Sequence, residues 1–259
     1  MAKGWSPFPF DADDYRYTEA SLKKHWARLH RGDCEPWPSD KAVVQAWIAY
    51  HAGEFQKAAE LGDKAGAAGC NVASKATNIY ANYLEKSEKR KLELFQQVAF
   101  RCEQQIAAAP KDPNPHYHMA YALGRYGQGI SVVKALAQGL GGRIRDALEK
   151  AIKLQPKHAD AHVALGTYHA EVIDKVGAMV GGLTYGAKKD VGLKHFQTAL
   201  KLNPDSAVYR IEYANALAML EGKKALKQAE QLYQEAAEFD PLDAMERLDV
   251  ELARAELED

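Results

Sequence analysis

The chain has 259 residues, with 34 basic and 35 acidic side chains and a formal net charge of −1 at pH 7. This balance excludes a protein that is drawn to nucleic acid or to an anionic membrane by excess positive charge. The three cysteines are widely spaced and form no CxxC pair, which predicts reduced structural thiols. The sequence shows neither a run of about 18 apolar residues that would span a membrane nor a signal peptide at its start. We therefore expect a cytoplasmic protein.

The N-terminal part, residues 1–40, predicts a capping helix followed by a rigid connector. Trp26 and His30 are four residues apart, and Trp47 and His51 repeat the same spacing. Residues four apart share one face of a helix. Because a stacked array needs a cover over its apolar ends, we interpret the first pair as part of a helix that covers the first repeat. A ligand clamp built from the two Trp/His pairs is the alternative.

Residues 41–242 repeat one pattern about five times. The clearest copies are ALEKAIKLQP, FQTALKLNP and YQEAAEFDP, which end at Pro156, Pro204 and Pro241. In each copy an alanine lies five residues before the proline and a bulky residue lies eight before it. A proline ends a helix because it lacks the amide hydrogen, and the apolar spacing that follows predicts another helix. The repeated unit is therefore a helix pair, and the predicted fold class is all-α.

This register resembles that of the tetratricopeptide repeat (TPR) family. The copy at 207–241 matches best, with the family's usual residue types at Tyr213, Ala214, Leu217, Ala229, Tyr233, Ala236 and Pro241. The resemblance implies an α-solenoid of antiparallel helix pairs, stacked with a right-handed twist, whose concave face binds a protein or peptide. It is specific for the fold and says little about activity.

Two of the repeats carry inserts between their helices. The spacing is 46 residues from Pro110 to Pro156 and 48 from Pro156 to Pro204, against about 34 in a plain TPR. The inserts cover residues 127–142 and 171–190, and both are apolar and rich in glycine. Their apolar residues at helical spacing are Val132, Val133, Leu136 and Leu140 in the first insert, and Val172, Val176, Met179, Val180 and Leu183 in the second.

The inserts occupy equivalent places in adjacent repeats, so we expect them to lie side by side and to project from the stack. Apolar stripes of this kind can form an interface for self-assembly or for a partner. Two alternatives stay open. The stripes bury each other and only thicken the scaffold, or they cover a cavity for an apolar small molecule.

The repeats with inserts, over roughly 113–220, also resemble two related groups of proteins. The phrases that carry this resemblance are GGRIRDALEKAIKLQPKHADAHVALGTYHAEV and GLKHFQTALKLNP. One group is the regulator-of-microtubule-dynamics proteins, and the other is the helical-repeat T component of TRAP-type transporters. Similarity to the transporter group implies oligomerisation and the handling of an apolar ligand beside a binding protein.

The concave face should be lined by the first helix of each repeat. Candidate residues for binding a partner or ligand there are Tyr117, Tyr121, His162, Tyr168, Arg210, Tyr213 and Asn215. A groove that mixes aromatic and polar side chains suits an extended segment or a helix. The stretch 124–145 holds four basic residues and no acidic one. We interpret it as a solvated helix face, with contact to an acidic partner as the alternative.

Catalysis, metal binding and cofactor binding are not indicated by the sequence. The glycine-rich stretches at 124–129 and 181–189 do not follow a strand and lack the spacing of nucleotide-binding loops. His158 and His162 are four residues apart, but we expect His158 to be exposed and His169 to pack between helices. We therefore predict no metal site. Because no nucleophile, base and acid fall into a catalytic pattern, we also predict no cofactor and no enzyme.

The last segment, residues 243–259, predicts a capping helix with an acidic, solvent-facing side. The function that the sequence predicts is a non-catalytic TPR scaffold for protein–protein interaction or self-assembly, with the inserts as its interaction surface. A carrier for an apolar small molecule beneath the inserts, associated with transport, is the alternative.

Overall fold

The computed structural model describes residues 4–258, which form helices and no strand within that range. The α-helices are α1 (Glu19–Leu29), α2 (Lys41–His51), α3 (Phe55–Lys64), α4 (Cys70–Tyr83), α5 (Glu88–Ala108), α6 (Pro113–Ile130), α7 (Val132–Ala137), α8 (Leu140–Leu154), α9 (Ala159–Tyr185), α10 (Lys189–Leu202), α11 (Ala207–Glu221), α12 (Leu226–Ala237) and α13 (Ala244–Glu258). Short 3-10 helices lie at Asp13–Tyr15, Gly66–Gly69 and Gly222–Ala225. The predicted all-α class is confirmed.

Successive helices pack as pairs: α2 with α3, α4 with α5, α6 with α8, α9 with α10, and α11 with α12. The first helices of neighbouring pairs also pack on one another, so the pairs stack into a solenoid. Fully buried alanines fill the close contacts inside the pairs: Ala58, Ala151, Ala199 and Ala236. Gly166 marks the closest approach of α9 to α10, because a Cβ atom there would lie 2.7 Å from the Phe196 ring. The repeated small residues are thus the positions where helices meet, as the register predicted.

Local chemistry begins several of these helices. The side chains of Asp40, Ser87 and Asp112 accept hydrogen bonds from backbone amides in the first turns of α2, α5 and α6. Pro113 occupies the first turn of α6, where its missing amide hydrogen costs nothing. The helix pairs therefore begin where the polar residues of the connectors predict.

The first insert forms α7 and the start of α8, and the second extends α9. α7 packs on α6, α8 and α9, so the two inserts are neighbours. α9 bends at Gly177, whose φ of 79° and ψ of 157° lie outside the helical range. Glycine adopts this conformation without a steric penalty. The last turns of α9 therefore leave in a new direction.

The apolar residues of the inserts divide into two sets. The buried or partly buried set is Leu136, Leu140, Val172, Val132 and Val176. The exposed set is Val133, Met179, Val180 and Leu183, with exposed fractions of 54%, 76%, 43% and 84%. We name the exposed set the insert surface. Mutual burial of the inserts accounts for the first set and leaves the insert surface uncovered.

The N-terminal segment around α1 contacts the C-terminal helix α13, which the repeat pattern did not predict. The Tyr17 hydroxyl donates a hydrogen bond of 2.7 Å to the Leu242 carbonyl. Arg28 of α1 forms an ion pair of 2.7 Å with Glu246 of α13. α13 itself packs on α2 as well as on α11 and α12. α1 therefore contacts the C-terminal helix in addition to the first repeat, which it was expected to cover.

The segment from Arg28 to Glu35 crosses the starts of several first helices. The Gly32 carbonyl accepts a hydrogen bond of 3.1 Å from the Asp160 amide at the start of α9. The Glu35 carboxylate accepts hydrogen bonds from Asn71 at the start of α4 (2.9 Å) and Asn114 at the start of α6 (2.5 Å). We name residues 28–35 the crossing segment. It closes one end of the concave side of the solenoid.

Candidate functional site

The concave side encloses a cavity of about 140 Å³, with walls from α4, α6, α8, α9, α11 and α13. Its aliphatic side chains are Ile79, Ile144, Leu148, Val163, Val208 and Met245. Its charged and phenolic side chains are Lys75, Arg125, Asp160, Glu171, Glu212, Asp249, Tyr83, Tyr117, Tyr121, Tyr168 and Tyr209. An apolar cavity of about 150 Å³ holds a benzene molecule. The space therefore fits a compact small molecule better than a peptide.

Lys75 lies on the wall of the cavity and is neutralised by the crossing segment. Its Nζ lies 2.5 Å from Asp33 Oδ2, and His30 Nδ1 lies 3.0 Å from Asp33 Oδ1. Burial opposes the ionisation of Asp33, but the Lys75 charge and the His30 contact hold the pKa of this carboxyl well below its usual range. Burial also lowers the pKa of His30 to about 4. Lys75 and Asp33 are thus a buried ion pair.

The two Trp/His pairs lie in the protein interior. Trp26 stacks on His30 with ring centroids 3.9 Å apart, and Trp47 stacks on His51 at 5.9 Å. His30 Nε2 lies 3.2 Å from His51 Nε2, and His51 Nδ1 lies 2.6 Å from the Asp243 carboxylate. All these side chains are buried. The pairs join the two ends of the chain, which favours the structural interpretation over a ligand clamp.

His158 is fully buried, so the expectation that it is exposed was wrong. The crossing segment covers the start of α9, and His158 Nε2 donates to Asn114 Oδ1 at 2.8 Å. His158 Nδ1 accepts a hydrogen bond from the Ala161 amide at 3.2 Å, which fixes the neutral tautomer. Burial lowers the pKa of His158 to about 4. Burial, with the charges of nearby aspartates, raises the pKa of the adjoining Glu35 to about 8.

Arg125, the second cation on the wall, is also paired. It forms an ion pair of 2.7 Å with Glu212 of α11, and its guanidinium lies over the Tyr121 ring, 5.3 Å from the centroid. Thr167 of α9 donates to the other oxygen of Glu212 at 3.1 Å. The pair therefore connects the first helices of three repeats.

Three further carboxylates on the wall receive hydrogen bonds from neutral donors. Asp249 accepts from the Tyr83 hydroxyl at 2.5 Å, and Asp160 accepts from the Tyr209 hydroxyl. Glu171 accepts from a glutamine amide of α6. Burial raises the pKa of all three, that of Asp160 to about 6 and that of Asp249 well above its usual range. Within residues 4–258, these three carboxyl groups therefore have neutral hydrogen-bond donors and no ion-pair partner.

The structure brings some of the predicted partner-binding residues to the cavity. Tyr117, Tyr121 and Tyr168 line its wall. The Tyr168 hydroxyl donates to the Tyr185 carbonyl at 2.9 Å, so it is held in place by the second insert.

The other four predicted residues serve packing between helices. Their partners are His195 for His162 (2.8 Å between the Nδ1 atoms), Glu235 for Arg210 (3.0 Å), the Phe196 ring for Tyr213 (centroids 5.1 Å apart) and the Tyr233 hydroxyl for Asn215 (2.6 Å). None of the four lies on the cavity wall as the structure describes it. The predicted surface and the observed cavity therefore share three tyrosines.

Sequence reasoning missed the charged residues of the cavity. Asp160 and Glu171 line up with Thr167 along one face of α9, and Arg125 follows Tyr121 by four residues on α6. Polar residues at this spacing on successive first helices are a signal that could have identified the wall. Asp249 carries no such signal, because it reaches the cavity from the C-terminal helix.

The basic stretch 124–145 is not a free basic surface. Arg125 is paired with Glu212 inside the cavity, Arg143 with Glu103, and Arg145 with the neighbouring Asp146. The interpretation as a solvated face was wrong for Arg125, because α11 supplies a carboxylate that the local sequence does not show.

Within residues 4–258, no group of three or more His, Cys, Asp or Glu side chains is arranged to hold a metal ion. Over the same residues, every helix is too short or too polar to cross a membrane.

The stacked pairs define the class of protein, a TPR-type helical-repeat scaffold. The solved structure of TTC0263, described as a thermophilic TPR protein in Thermus thermophilus, is similar with a TM-score of 0.57 and 17% identity, over 83% of this chain and 98% of that one. Within this class, the family described as Regulator of microtubule dynamics protein 1-3 matches residues 55–257. The chain belongs to that family, which confirms the resemblance predicted from the repeats and inserts.

Two other solved structures are more distant. One, described as MamA MSR-1 C2, has a TM-score of 0.43 and 15% identity, over 81% of this chain and 98% of that one. The other is a monomeric mutant of IFIT1 with Gppp-AAAA, with a TM-score of 0.43 and 14% identity, over 86% of this chain and 56% of that one. Comparison with curated proteins gave no match.

Proposed function

We propose that the chain is a non-catalytic scaffold that mediates self-assembly or protein–protein contact through the insert surface. Helical-repeat proteins usually act by presenting extended surfaces, and their fold alone does not specify a reaction. The observation that carries the proposal is the exposure of Leu183 and Met179, at 84% and 76%.

Single exposed apolar residues are common on soluble proteins. Several on one projecting segment are typical of an interaction site. Leu183 and Met179 lie one turn apart beyond the bend of α9, with Val180 beside them. The cavity of the concave side, at about 140 Å³, is too small for an extended partner. The insert surface is therefore the part of the molecule best suited to contact another protein.

Native mass spectrometry of the full chain tests self-assembly. We expect a multiple of 28.6 kDa for the natural sequence and a monomer for Met179→Glu/Leu183→Glu, because buried carboxylates would oppose association. Phe100→Glu is the matched control, since Phe100 is a 61% exposed apolar residue on α5 and is not part of the insert surface. A monomeric natural protein, or equal masses for both variants, would contradict self-assembly.

Binding of another protein through the insert surface requires a separate test. The family description names microtubule dynamics, so polymerised tubulin is the first partner to try. We expect cosedimentation of the natural protein and of Phe100→Glu, and its loss in Met179→Glu/Leu183→Glu. Cosedimentation that survives the double substitution would show that the insert surface is not the contact.

A second candidate function is a carrier for a small molecule. It is favoured by the cavity of about 140 Å³, whose aliphatic side chains come from α4, α8, α9, α11 and α13 and whose wall includes Gln128 and Glu171 of the inserts. Such a carrier should retain a ligand through purification. Gentle native mass spectrometry would then show extra mass that denaturation releases, and binding assays with small probes would measure the affinity.

A further inference from the structure

We propose that the cavity binds a small organic cation, a compact amine whose ammonium group pairs with the Asp249 carboxylate. This inference rests on the carrier function proposed above and names its class of ligand. It stands on the charges of the wall, on one buried acceptor without a donor, and on the volume of the cavity.

The positive charges of the wall are already neutralised. Lys75 Nζ lies 2.5 Å from Asp33, and an Arg125 nitrogen lies 2.7 Å from Glu212. An anionic ligand would have to compete with these carboxylates at short range inside a site of low dielectric. Lys75 and Arg125 therefore do not favour an anion.

Asp249 is in the opposite situation. It is 2% exposed, and its hydrogen bond within the described residues comes from the neutral Tyr83 hydroxyl. A buried carboxylate needs a cation to remain ionised. Burial and the charges of Asp243, Glu246 and Asp160 raise the pKa of Asp249. A cation beside this group would stabilise its ionised form, and an ammonium ligand would supply that cation.

Asn78 gives an independent indication. It lies on the cavity wall, is 2% exposed, and donates from Nδ2 to the His118 carbonyl at 3.2 Å. Its Oδ1 has no hydrogen-bond partner among residues 4–258. Buried polar atoms without a partner are rare in native proteins. This oxygen adds an unpaired acceptor to the polar surroundings of the cavity, which suits a cation better than an anion.

Tyrosine rings complete the environment of a cation. Tyr83 and Tyr117 both lie on the wall, and the faces of aromatic rings attract positive charge. The volume of about 140 Å³ is close to that of a cavity that holds one benzene molecule. The ligand is therefore an amine with one ring or a short alkyl body, and the aliphatic wall would take up that body.

Three probes that share a phenyl ring and differ in charge test the proposal: phenethylamine, 2-phenylethanol and phenylacetate. Isothermal titration calorimetry with the full chain near pH 7.5 should show the amine binding about 10-fold tighter than the alcohol, as one charged hydrogen bond requires. Asp249→Asn should abolish this preference. Glu256→Gln removes a charge from the exposed side of the same helix and should leave the preference unchanged.

The amine affinity should also rise as pH is raised, because the ammonium group binds the ionised carboxylate. The groups that face Asp249 across the cavity are Lys75, Tyr83, Arg125, Asp160, Glu171 and Glu212. Circular dichroism and thermal unfolding of both variants show whether each one is folded. A pH-independent affinity would count against the pairing.

Other outcomes would overturn the inference in distinguishable ways. Equal affinities for amine and alcohol would reject the cation and leave the carrier function standing. Tighter binding of the carboxylate would instead assign the cavity to an anion. Amine binding that survives in a folded Asp249→Asn variant would reject Asp249 as its partner. If no probe binds, both the ligand class and the carrier function are wrong. Self-assembly is tested separately, by native mass spectrometry.

Discussion

Gly166 sets the distance between the two helices of one repeat. A Cβ atom there would meet the Phe196 ring at 2.7 Å, and Phe196 is fully buried. We expect Gly166→Ala to lower the free energy of unfolding by about 1–3 kcal/mol, because the overpacked ring has no free space. Urea denaturation measures the change.

Gly142→Ala is the matched control for this substitution. Gly142 lies in α8, and a Cβ atom there would meet nothing within 4 Å. Alanine is the better helix former, so this variant should be as stable as the natural protein or gain up to about 1 kcal/mol. Equal stability of the two variants would contradict the packing role of Gly166.

Glu35 makes stability depend on pH. Burial and the nearby aspartates raise its pKa from 4.5 to about 8. The folded state then holds a proton that the unfolded state releases, so this contribution is complete below about pH 4.5 and is lost as pH rises toward 8. We expect the free energy of unfolding to fall over this range by an amount on the order of a few kcal/mol. Glu35→Gln should make the decline shallower, and the raised pKa of Asp160 should maintain part of it.

The histidines act on the acid side. Burial lowers the pKa of His30 and of His158 to about 4. The unfolded state therefore takes up protons first, and stability falls as pH drops from about 6.5 toward 4. Thermal unfolding of the natural protein and of Glu35→Gln, measured from pH 4 to pH 8, separates the contribution of Glu35 from that of the histidines. Glu60→Gln is the control, because Glu60 is exposed. If stability falls equally toward high pH in the natural protein and in both variants, Glu35 does not have the raised pKa described above.

The packing role of some residues could be predicted from their local spacing. The role of others could not, because it depends on contacts with residues distant in the sequence. The alanines before each proline were recognisable because the register repeats within one helix pair. The Lys75–Asp33 pair joins residues 42 positions apart, and Tyr83 meets Asp249 across 166. No periodicity connects such positions. The charges of the cavity and the burial of His158 could therefore not be derived from the sequence pattern.

The second insert shows the same limit at the scale of an element. Helical spacing correctly predicted that Val172, Val176 and Leu183 lie on helix, but not that the helix bends between them. The bend depends on Gly177, with its φ of 79°, and glycine alone does not reveal which conformation it will take. As a result Val172 is buried and Leu183 is exposed.

Replacing Gly177 tests the bend. The φ and ψ of Gly177 are strained for any residue with a Cβ atom, so Gly177→Ala should cost about 1–3 kcal/mol or straighten α9. Hydrogen exchange should detect altered protection in residues 178–185 and little change elsewhere. Gly182→Ala is the control, because its Cβ would be 3.6 Å from its nearest neighbour. Unaltered protection in Gly177→Ala would contradict a bend that requires glycine.

The whole molecule depends on the contact between its ends. Arg28 forms an ion pair of 2.7 Å with Glu246 and donates a hydrogen bond of 3.0 Å to the Asp205 carbonyl. The side chains of Arg28 and Glu246 are 21% and 18% exposed. Arg28→Met would leave Glu246 partly buried without this cation. We expect the free energy of unfolding to fall by about 1–3 kcal/mol, which is less than the loss when a fully buried ion pair is broken.

The shape of the molecule should respond as well. Small-angle scattering of Arg28→Met should show a larger radius of gyration if the closure opens. Arg254→Met provides the comparison, because Arg254 is 48% exposed and its ion pair stays within α13, where such pairs contribute little. Equal stability and size for the two variants would mean that the end contact does not hold the solenoid closed.

Closure also constrains how the chain can change length during evolution. In an open solenoid each repeat touches only its neighbours, so a repeat can be added or removed with small consequences elsewhere. Here His51 of the first pair reaches Asp243 after the last pair at 2.6 Å. Removing or duplicating a helix pair would carry these partners apart. Relatives that keep the end-to-end contact must therefore keep the number of repeats and vary instead in the length of their inserts.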